Sequence, residues 1–267
     1  MGQIYRRQTL RFQVLIWILC AFFSHAALAT KTTKEASITP EIQSIVEKAG
    51  KKKDFSAEMK QITSMKEKPI AALTAIFQDG DRLWKERWFA GMALSKFPNE
   101  ETKQVLIKGS KDTLSIMRSV SVQALAVYDE KDSNKAIADC LNDTSLLVRD
   151  SAVKSLGKIK DRNAVEQLGK ELFEQRNYYR GEALFEIREN IILALGDIGS
   201  MKAVDPLMKV FQSESPKLQN LACNSLEKIV KPEDLQSKKI GTAKCPDYWL
   251  SWYQQNKIEA KAASKKN

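Results

Sequence analysis

Residues 142–172 read NDTSLLVRDSAVKSLGKIKDRNAVEQLGKEL, and this stretch decides the fold. Val148, Leu156 and Ile159 are separated by eight and three residues. That spacing brings apolar side chains to one face of a helix. The polar start of the stretch supplies Asn, Asp and Thr, which are residue types that cap helix N-termini. The stretch therefore predicts one amphipathic helix and, around Leu168, the beginning of the next helix pair.

The same pattern recurs along the chain, as in a repeat protein. Aligned leucines lie 31, 31, 39 and 31 residues apart, so one unit carries an insertion of eight residues. These anchor residues are Leu94, Leu125, Leu156, Leu195 and Leu226. Seven residues before the anchors lie Arg87, Arg118, Arg149, Arg188 and Gln219. A small residue precedes each anchor directly, where a neighbouring helix must approach closely: Ala93, Ala124, Ser155, Ala194 and Ser225.

A second apolar helix precedes each anchor helix. Its central residues are Leu73, Leu106, Ile137, Leu168 and Leu207. One such helix pair cannot bury its apolar face alone, whereas stacked pairs form a continuous core with capped ends. We therefore expect an all-α solenoid of about five helix pairs. The expected divisions are N-terminal capping helices in 30–67, the solenoid in 68–231, and a C-terminal capping helix with a basic tail in 232–267.

These residues carry a family resemblance. The stretch quoted above and IRENIILALGDIGSMKAVDPLMKVF (187–211) resemble HEAT repeats of the bacterial PBS-lyase-like type. The resemblance extends over roughly 68–231, and it is specific because several columns agree in five units. The first unit is a weaker match, and the last lacks the arginine. The resemblance implies a HEAT-like solenoid.

The first 29 residues have the features of a secretory signal peptide. Arg6, Arg7 and Arg11 precede the apolar run 12–23, and Ala27-Leu28-Ala29 forms a small-x-small cleavage site. We expect cleavage before Thr30 and a periplasmic or secreted protein. The alternative is an uncleaved anchor. Lipidation of Cys20 is disfavoured because Leu19 stands where a small residue is required.

Charge is distributed unevenly along the chain. The net charge of +10 falls to +7 when the three leader arginines are removed. Residues 69–235 contain 24 basic and 25 acidic side chains, whereas 236–267 contain seven lysines and two acids. A nucleic-acid groove along the solenoid would need a stripe of Lys and Arg, so nucleic acid is not an expected partner.

Three cysteines remain after the leader, namely Cys140, Cys223 and Cys245. Export leads to an oxidising compartment, in which a pair can form a disulfide. Cys223 and Cys245 are the closer pair in sequence, so they are the candidate bridge. Cys140 would then be a buried small hydrophobic residue.

No catalytic site, metal site or cofactor is predicted. The single histidine, His25, lies in the leader, so the mature chain offers no histidine as a base, a triad member or a zinc ligand. The chain also lacks the His-Glu pairs of iron-binding HEAT hydroxylases. A bilin lyase and a DNA glycosylase on HEAT-like repeats are enzymatic alternatives. Export and a neutral solenoid body argue against both.

Two groups of side chains admit a structural or a binding role. The arginine column formed by Arg87, Arg118, Arg149 and Arg188 is expected to bond loop carbonyls and a loop aspartate, which stiffens the stack; anion binding is the alternative. Trp84 and Trp88 are expected to close the first unit against the N-terminal helices, although they could form an aromatic binding patch. Trp249 and Trp252 are expected to pack in the C-terminal cap.

The insertion at 173–182 is the expected binding element. It contains Arg176, Tyr178, Tyr179 and Arg180, a composition found at protein interface hot spots. We therefore expect a non-catalytic scaffold that binds a protein through the concave face of the solenoid and this insertion. The alternative is electrostatic binding of anionic envelope lipid or cell-wall polymer by the lysine-rich termini.

Overall fold

The structure is a computed structural model that describes residues 38–179, 182–183, 185–212, 215–230 and 245–264. The leader with its expected cleavage site, residues 30–37 and Arg180 lie outside the described residues. The described helices are α1 Pro40–Lys51, α2 Ser56–Thr63, α3 Ile70–Gln78, α4 Trp84–Leu94, α5 Glu100–Gly109, α6 Ser115–Leu125, α7 Lys131–Asp139, α8 Leu146–Ile159, α9 Val165–Glu171, α10 Phe185–Ile198, α11 Val204–Lys209, α12 Pro216–Val230 and α13 Cys245–Ser264. Two short strands, β1 Tyr178–Tyr179 and β2 Glu182–Ala183, form an antiparallel pair.

The chain divides into two compact units between Phe97 and Pro98. The boundary falls inside the region 68–231 that the repeat pattern assigns to one solenoid. Helices α1 to α4 belong to the first unit, so the first predicted helix pair groups with the N-terminal helices. Helices α5 to α13 belong to the second unit.

In the first unit, α4 packs against α1 and α3. Helix α1 begins where Thr39 accepts a hydrogen bond from the Ile42 amide, with Pro40 in the first turn. Phe55, just before α2, meets Trp88 edge-on at 5.2 Å between ring centroids. Trp88 thus closes this unit, as the sequence predicts, whereas Trp84 remains 47% exposed. The expectation that both tryptophans close this unit against the N-terminal helices is therefore wrong for Trp84.

In the second unit, each helix pair has a first helix (A helix: α5, α7, α9, α11) and a second helix (B helix: α6, α8, α10, α12). Successive B helices pack side by side. The four anchor leucines of this unit are fully buried, and so are the four central residues of its A helices. The predicted all-α, HEAT-like solenoid fold is confirmed. The small strand pair in the insertion is not predicted by the sequence pattern.

Small residues set the distance between neighbouring B helices. A Cβ atom placed on Gly157 of α8 would lie 2.9 Å from both Cα and Cβ of Ala194 in α10. A Cβ atom on Gly196 of α10 would lie 2.7 Å from Cβ of Ser225 in α12. Ala194 and Ser225 both directly precede an anchor leucine. The small-residue column therefore faces the preceding B helix, where the two backbones nearly touch.

Helix α13 closes the C-terminal end of the second unit. Cys223 of α12 and Cys245 of α13 form a disulfide, with their Cα atoms 6.2 Å apart. Trp249 is fully buried and meets the ring of Trp252 edge-on at 5.4 Å. The Tyr253 hydroxyl donates a hydrogen bond of 2.6 Å to Asp205 in the first turn of α11. A covalent bond, an aromatic cluster and a hydrogen bond thus hold this helix against the last pair.

Candidate interaction surface

The arginine column of the second unit points into the loops between A and B helices. Arg118 donates through Nη1 to the carbonyls of Asp112 and Thr113 in its own loop, at 2.9 and 3.1 Å. Through Nε and Nη2 it donates to both carboxylate oxygens of Asp143 in the next loop, at 2.7 and 2.8 Å. Since such a paired contact fixes both partners, Arg118 holds two successive loops in register.

The Arg118 guanidinium lowers the pKa of Asp143, which stays ionised in the folded protein. A carboxylate with a lowered folded pKa contributes stability above its unfolded pKa of about 3.9, and loses that contribution as the pH falls through the folded value. We expect Asp143→Asn to lower the free energy of unfolding by about 2 kcal/mol at neutral pH. The deficit should shrink in acid. Thermal unfolding at several pH values measures this difference in stability, and Asp139→Asn, at an exposed position, is the control. A difference that does not change with pH would contradict the ion pair.

Arg149 repeats this arrangement one unit later, but with a different acceptor. Its Nη1 donates to the carbonyls of Asp143 and Thr144, at 3.0 and 3.1 Å. Its Nε and Nη2 both donate to Oδ1 of Asn177 in the insertion, at 3.3 and 3.0 Å. Asn177 is fully buried and thus takes the place that Asp143 holds in the preceding unit. Burial, and next the charge of Arg176, lower the pKa of Arg149.

An amide suits position 177 because it faces a cation on one side and an acid on the other. Nδ2 of Asn177 donates to the carbonyl of Glu171 at 2.7 Å and lies 3.4 Å from its carboxylate. The same carboxylate binds the guanidinium of Arg176. Arg176 also donates to the carbonyl of Leu141, at 3.2 Å. These contacts anchor the base of the insertion to the preceding unit.

The residues of the insertion that were predicted to bind a partner therefore have different surroundings in the structure. Arg176 is held by Glu171 and the Leu141 carbonyl, so its contacts are structural ones. Tyr178 and Tyr179 form β1, which pairs with Glu182 and Ala183 of β2. Arg180 lies outside the described residues.

At the two ends of the arginine column, Arg87 donates to the Phe77 carbonyl at 3.0 Å, and Arg188 to the Leu172 carbonyl at 3.2 Å.

The B helices of the second unit share one outward surface, which we call the B-helix face. Its residues recur on each helix at spacings of three, four and four, so they lie along one side. They are Ile116, Ser119, Gln123 and Val127 on or just after α6; Leu147, Asp150, Lys154 and Lys158 on α8; Glu186, Glu189, Leu193 and Asp197 on α10; and Lys217, Asn220, Asn224 and Lys228 on α12. Ser119 alone among them is buried. Contacts across helices confirm the alignment: Ser119 bonds Ser151 at 2.8 Å, and Asn190 bonds Asp150 at 2.6 Å.

Charges on the B-helix face cancel one another. Four acidic and four lysine side chains lie on it. Ion pairs join Lys154 to Asp150 within α8 at 2.6 Å, and join α12 to α10 through Lys217–Glu189 at 2.5 Å and Lys228–Asp197 at 2.8 Å. A surface with balanced and paired charges does not attract a polyanion, which agrees with the neutral body seen in the sequence.

Apolar side chains stand exposed among these pairs. Leu147 is 45% exposed, Val127 44% and Leu193 37%. Leu114 and Leu146, at the starts of α6 and α8, are exposed at the edge of the same helices. Sequence reasoning missed this surface, although it offers a signal. Leucine or valine occupies columns that hold Lys, Glu or Asp in other units.

Chemistry at the free thiol is disfavoured. Cys140 is buried, and burial, followed by the nearby charges of Asp143 and Asp139, raises its pKa to about 11. The thiol is therefore protonated at neutral pH and a weak nucleophile. Within the described ranges, no group of three or more His, Cys, Asp or Glu side chains is arranged to hold a metal ion. None of the described helices combines the length and apolar character needed to cross a membrane.

The PBS lyase HEAT-like repeat family matches residues 148–173 and 187–213. These two segments have the pattern of a PBS lyase HEAT-like repeat. The matched segments run from α8 to the loop after α9 and from α10 to the residues after α11, so they contain Arg149 and Arg188 together with Gly157, Ala194 and Gly196. The last B helix and the C-terminal cap lie beyond them.

Two solved structures are similar to this chain. One is a chain in the complex of CpcE and CpcF of phycocyanin lyase from Nostoc sp. PCC7120, with 20% identity and a TM-score of 0.52. The match covers 61% of this chain and 65% of that chain, which is less than two thirds of its length. An engineered protein matches with 20% identity and a TM-score of 0.44, covering 72% of this chain and 98% of the other. At 20% identity, the likeness to the Nostoc chain shows the fold alone. A comparison with curated proteins gives no significant match.

Proposed function

We propose that the protein is a non-catalytic, protein-binding scaffold of the cell envelope that contacts its partner through the B-helix face and the neighbouring insertion. The observation that carries this proposal is the set of exposed leucine and valine side chains among charges most of which are paired with one another. Exposed apolar side chains surrounded by polar groups are typical of protein interfaces. The similar Nostoc structure is a complex of two proteins, which supports a protein partner.

The area of the B-helix face is the reason for including the insertion in the proposed contact. Four helices at about 9 Å spacing, each contributing roughly eleven residues at 1.5 Å rise, give an area of about 500 Å². A stable interface buries on the order of 800 Å² on each side. The B-helix face alone therefore falls short. The insertion directly precedes α10 and can supply the remainder.

The cell-envelope assignment follows from the leader and is supported by the bond between Cys223 and Cys245. Disulfides persist in oxidising compartments. The processed protein would be periplasmic or secreted, and retention of the leader as an anchor is the alternative.

Site-specific photo-crosslinking in living cells tests the proposal. A photoreactive residue at Leu147 or Leu193 should give a discrete adduct with one partner. The same residue at Lys131 or Lys170, exposed on A helices of the same unit, should not. Leu193→Glu in the protein labelled at 147 should remove the adduct, because it places an unpaired acid in the apolar area. Equal adducts from both helix sets, or none at 147 and 193, would refute the proposed surface.

A lyase activity is the second candidate, favoured by the PBS-lyase-type repeats and the resemblance to a phycocyanin lyase complex. We expect no activity, because the mature chain lacks histidine and the Cys140 thiol stays protonated. Incubation with a phycocyanin apo-subunit and free bilin tests this expectation. Covalent attachment of the bilin, seen by mass spectrometry and absent with Cys140→Ser, would replace the scaffold proposal with an enzymatic one.

A further inference from the structure

Two large apolar side chains protrude from the first unit at the start of α4. Leu83 is 66% exposed and Trp84 is 47% exposed. Trp88, one turn later on the same helix, is packed against Phe55. Helix α4 is therefore held in place here, and the exposure of Trp84 is not the result of a loosely packed helix. The Lys85 ammonium lies 5.7 Å from the centre of the Trp84 ring, within the range of a cation–π contact.

Exposed lysines lie beside this apolar pair. Gly50, near the end of α1, lies against Lys85 and Glu86, since a Cβ placed on it would be 3.8 Å from Cβ of Lys85. Five residues later Phe55 contacts Trp88. The intervening segment 51–54 therefore runs along the first turns of α4 and presents Lys51 and Lys53 to solvent. We call Lys51, Lys53, Leu83, Trp84 and Lys85 the Leu83–Trp84 patch.

Neighbouring charges leave the surroundings of the patch positive. Most nearby acids have cationic partners: Glu58 pairs with Lys52 at 2.6 Å, Glu86 with Arg82 at 3.2 Å, and Asp79 with Arg82 at 3.5 Å. The remaining acids near the patch are exposed Asp54 and Asp81 and half-buried Glu47; Asp54 accepts a hydrogen bond from Ser56, and Glu47 accepts one from Gln43. The three patch lysines and exposed Lys48 still outnumber these three acids.

From this arrangement we infer that the Leu83–Trp84 patch docks the protein on an anionic lipid bilayer. Tryptophan resides at membrane interfaces because its ring is apolar and its N–H is polar. Leu83 can enter the acyl boundary while the lysines meet lipid phosphates. Two protruding side chains give too little area for a stable protein interface, whereas interfacial insertion needs only a few. This contact is separate from protein binding by the B-helix face, and it uses residues of the first unit alone.

Vesicle co-sedimentation tests the inference with the chain starting at Thr30, so that the apolar leader cannot bind lipid. We expect binding to phosphatidylglycerol vesicles, weak binding to phosphatidylcholine, and release by salt. Replacing Leu83 and Trp84 with serine should weaken binding at least tenfold. Replacing Lys51 and Lys53 with glutamine should weaken it about fivefold for each lysine. Matched controls in the second unit, Leu114→Ser and the pair Lys131→Gln with Lys135→Gln, should stay within twofold.

Lipids brominated in their acyl chains separate insertion from electrostatic contact alone. They should quench tryptophan fluorescence, and most of that quenching should vanish in Trp84→Phe. Circular dichroism checks that each variant remains folded. Failure to bind phosphatidylglycerol, or equal losses in patch and control variants, would overturn the inference. Binding that ignores Leu83 and Trp84 would do the same and move the contact to the lysine-rich tail. Binding to polyglutamate without binding to vesicles would assign the patch to an acidic protein.

Discussion

Replacing Arg149 with methionine is expected to lower the free energy of unfolding of the second unit by about 3–4 kcal/mol. The side chain is buried and makes contacts with three carbonyls and the Asn177 amide oxygen. Methionine fills a similar volume but donates no hydrogen bond. Each buried acceptor left without a donor costs about 1–3 kcal/mol, and partial access of water reduces the sum.

The insertion should respond to Arg149→Met before the rest of the unit. Limited proteolysis should cut within 173–184 at protease levels that leave the unaltered protein intact, and chemical denaturation should report the loss of stability. Arg149→Lys should restore little of the lost stability, because an ammonium group cannot donate hydrogen bonds to the loops on both sides as a guanidinium does. Lys154→Met, on an exposed position of the same helix, is the matched control. An insertion equally resistant in Arg149→Met and Lys154→Met would show that Asn177 and Glu171 hold it without the arginine.

Periodicity predicted the repeat core because burial acts on every unit alike. Each anchor leucine of the second unit is fully buried, so the same requirement for an apolar residue recurs in every repeat. The column before the anchors was equally informative. Small residues at Ala194 and Ser225 indicated a close approach of neighbouring helices, and the structure places Gly157 and Gly196 against them.

Features that occur once were less predictable from sequence. Asn177 lies in the insertion, outside every column, so nothing in the sequence linked it to Arg149 or showed that it replaces an aspartate. Trp84 and Trp88 share one helix and similar sequence neighbours, and the contact with Phe55 distinguishes the packed ring of Trp88 from the exposed ring of Trp84. The B-helix face was missed because its leucines interrupt polar columns, and a periodicity search treats such residues as exceptions.

Replacing Gly196 with leucine should destabilise the second unit by about 3 kcal/mol or more. Glycine inside a helix costs about 1 kcal/mol relative to a good helix former, so backbone propensity alone predicts a gain. Packing outweighs this gain, because even a Cβ atom at this position would lie 2.6 Å from Oγ, 2.7 Å from Cβ and 3.0 Å from Cα of Ser225. The Cα atom cannot move without shifting α12, whose Ser225 hydroxyl also donates to the Ile192 carbonyl at 2.9 Å.

Alanine scanning of glycines makes this competition measurable. Gly196→Ala should destabilise by about 1–2 kcal/mol despite its better helix propensity, since overpacking against a backbone forces the helices apart. Gly169→Ala is the control, because its Cβ would meet only the ring atoms of Pro206, at 3.1 and 3.2 Å, and should be nearly neutral. Thermal unfolding followed by circular dichroism ranks the three variants. If Gly196→Ala and Gly169→Ala raised the melting temperature equally, the space between α10 and α12 would be large enough for the added Cβ atom. The small-residue column would then reflect helix composition alone and would not be set by the contact between neighbouring units.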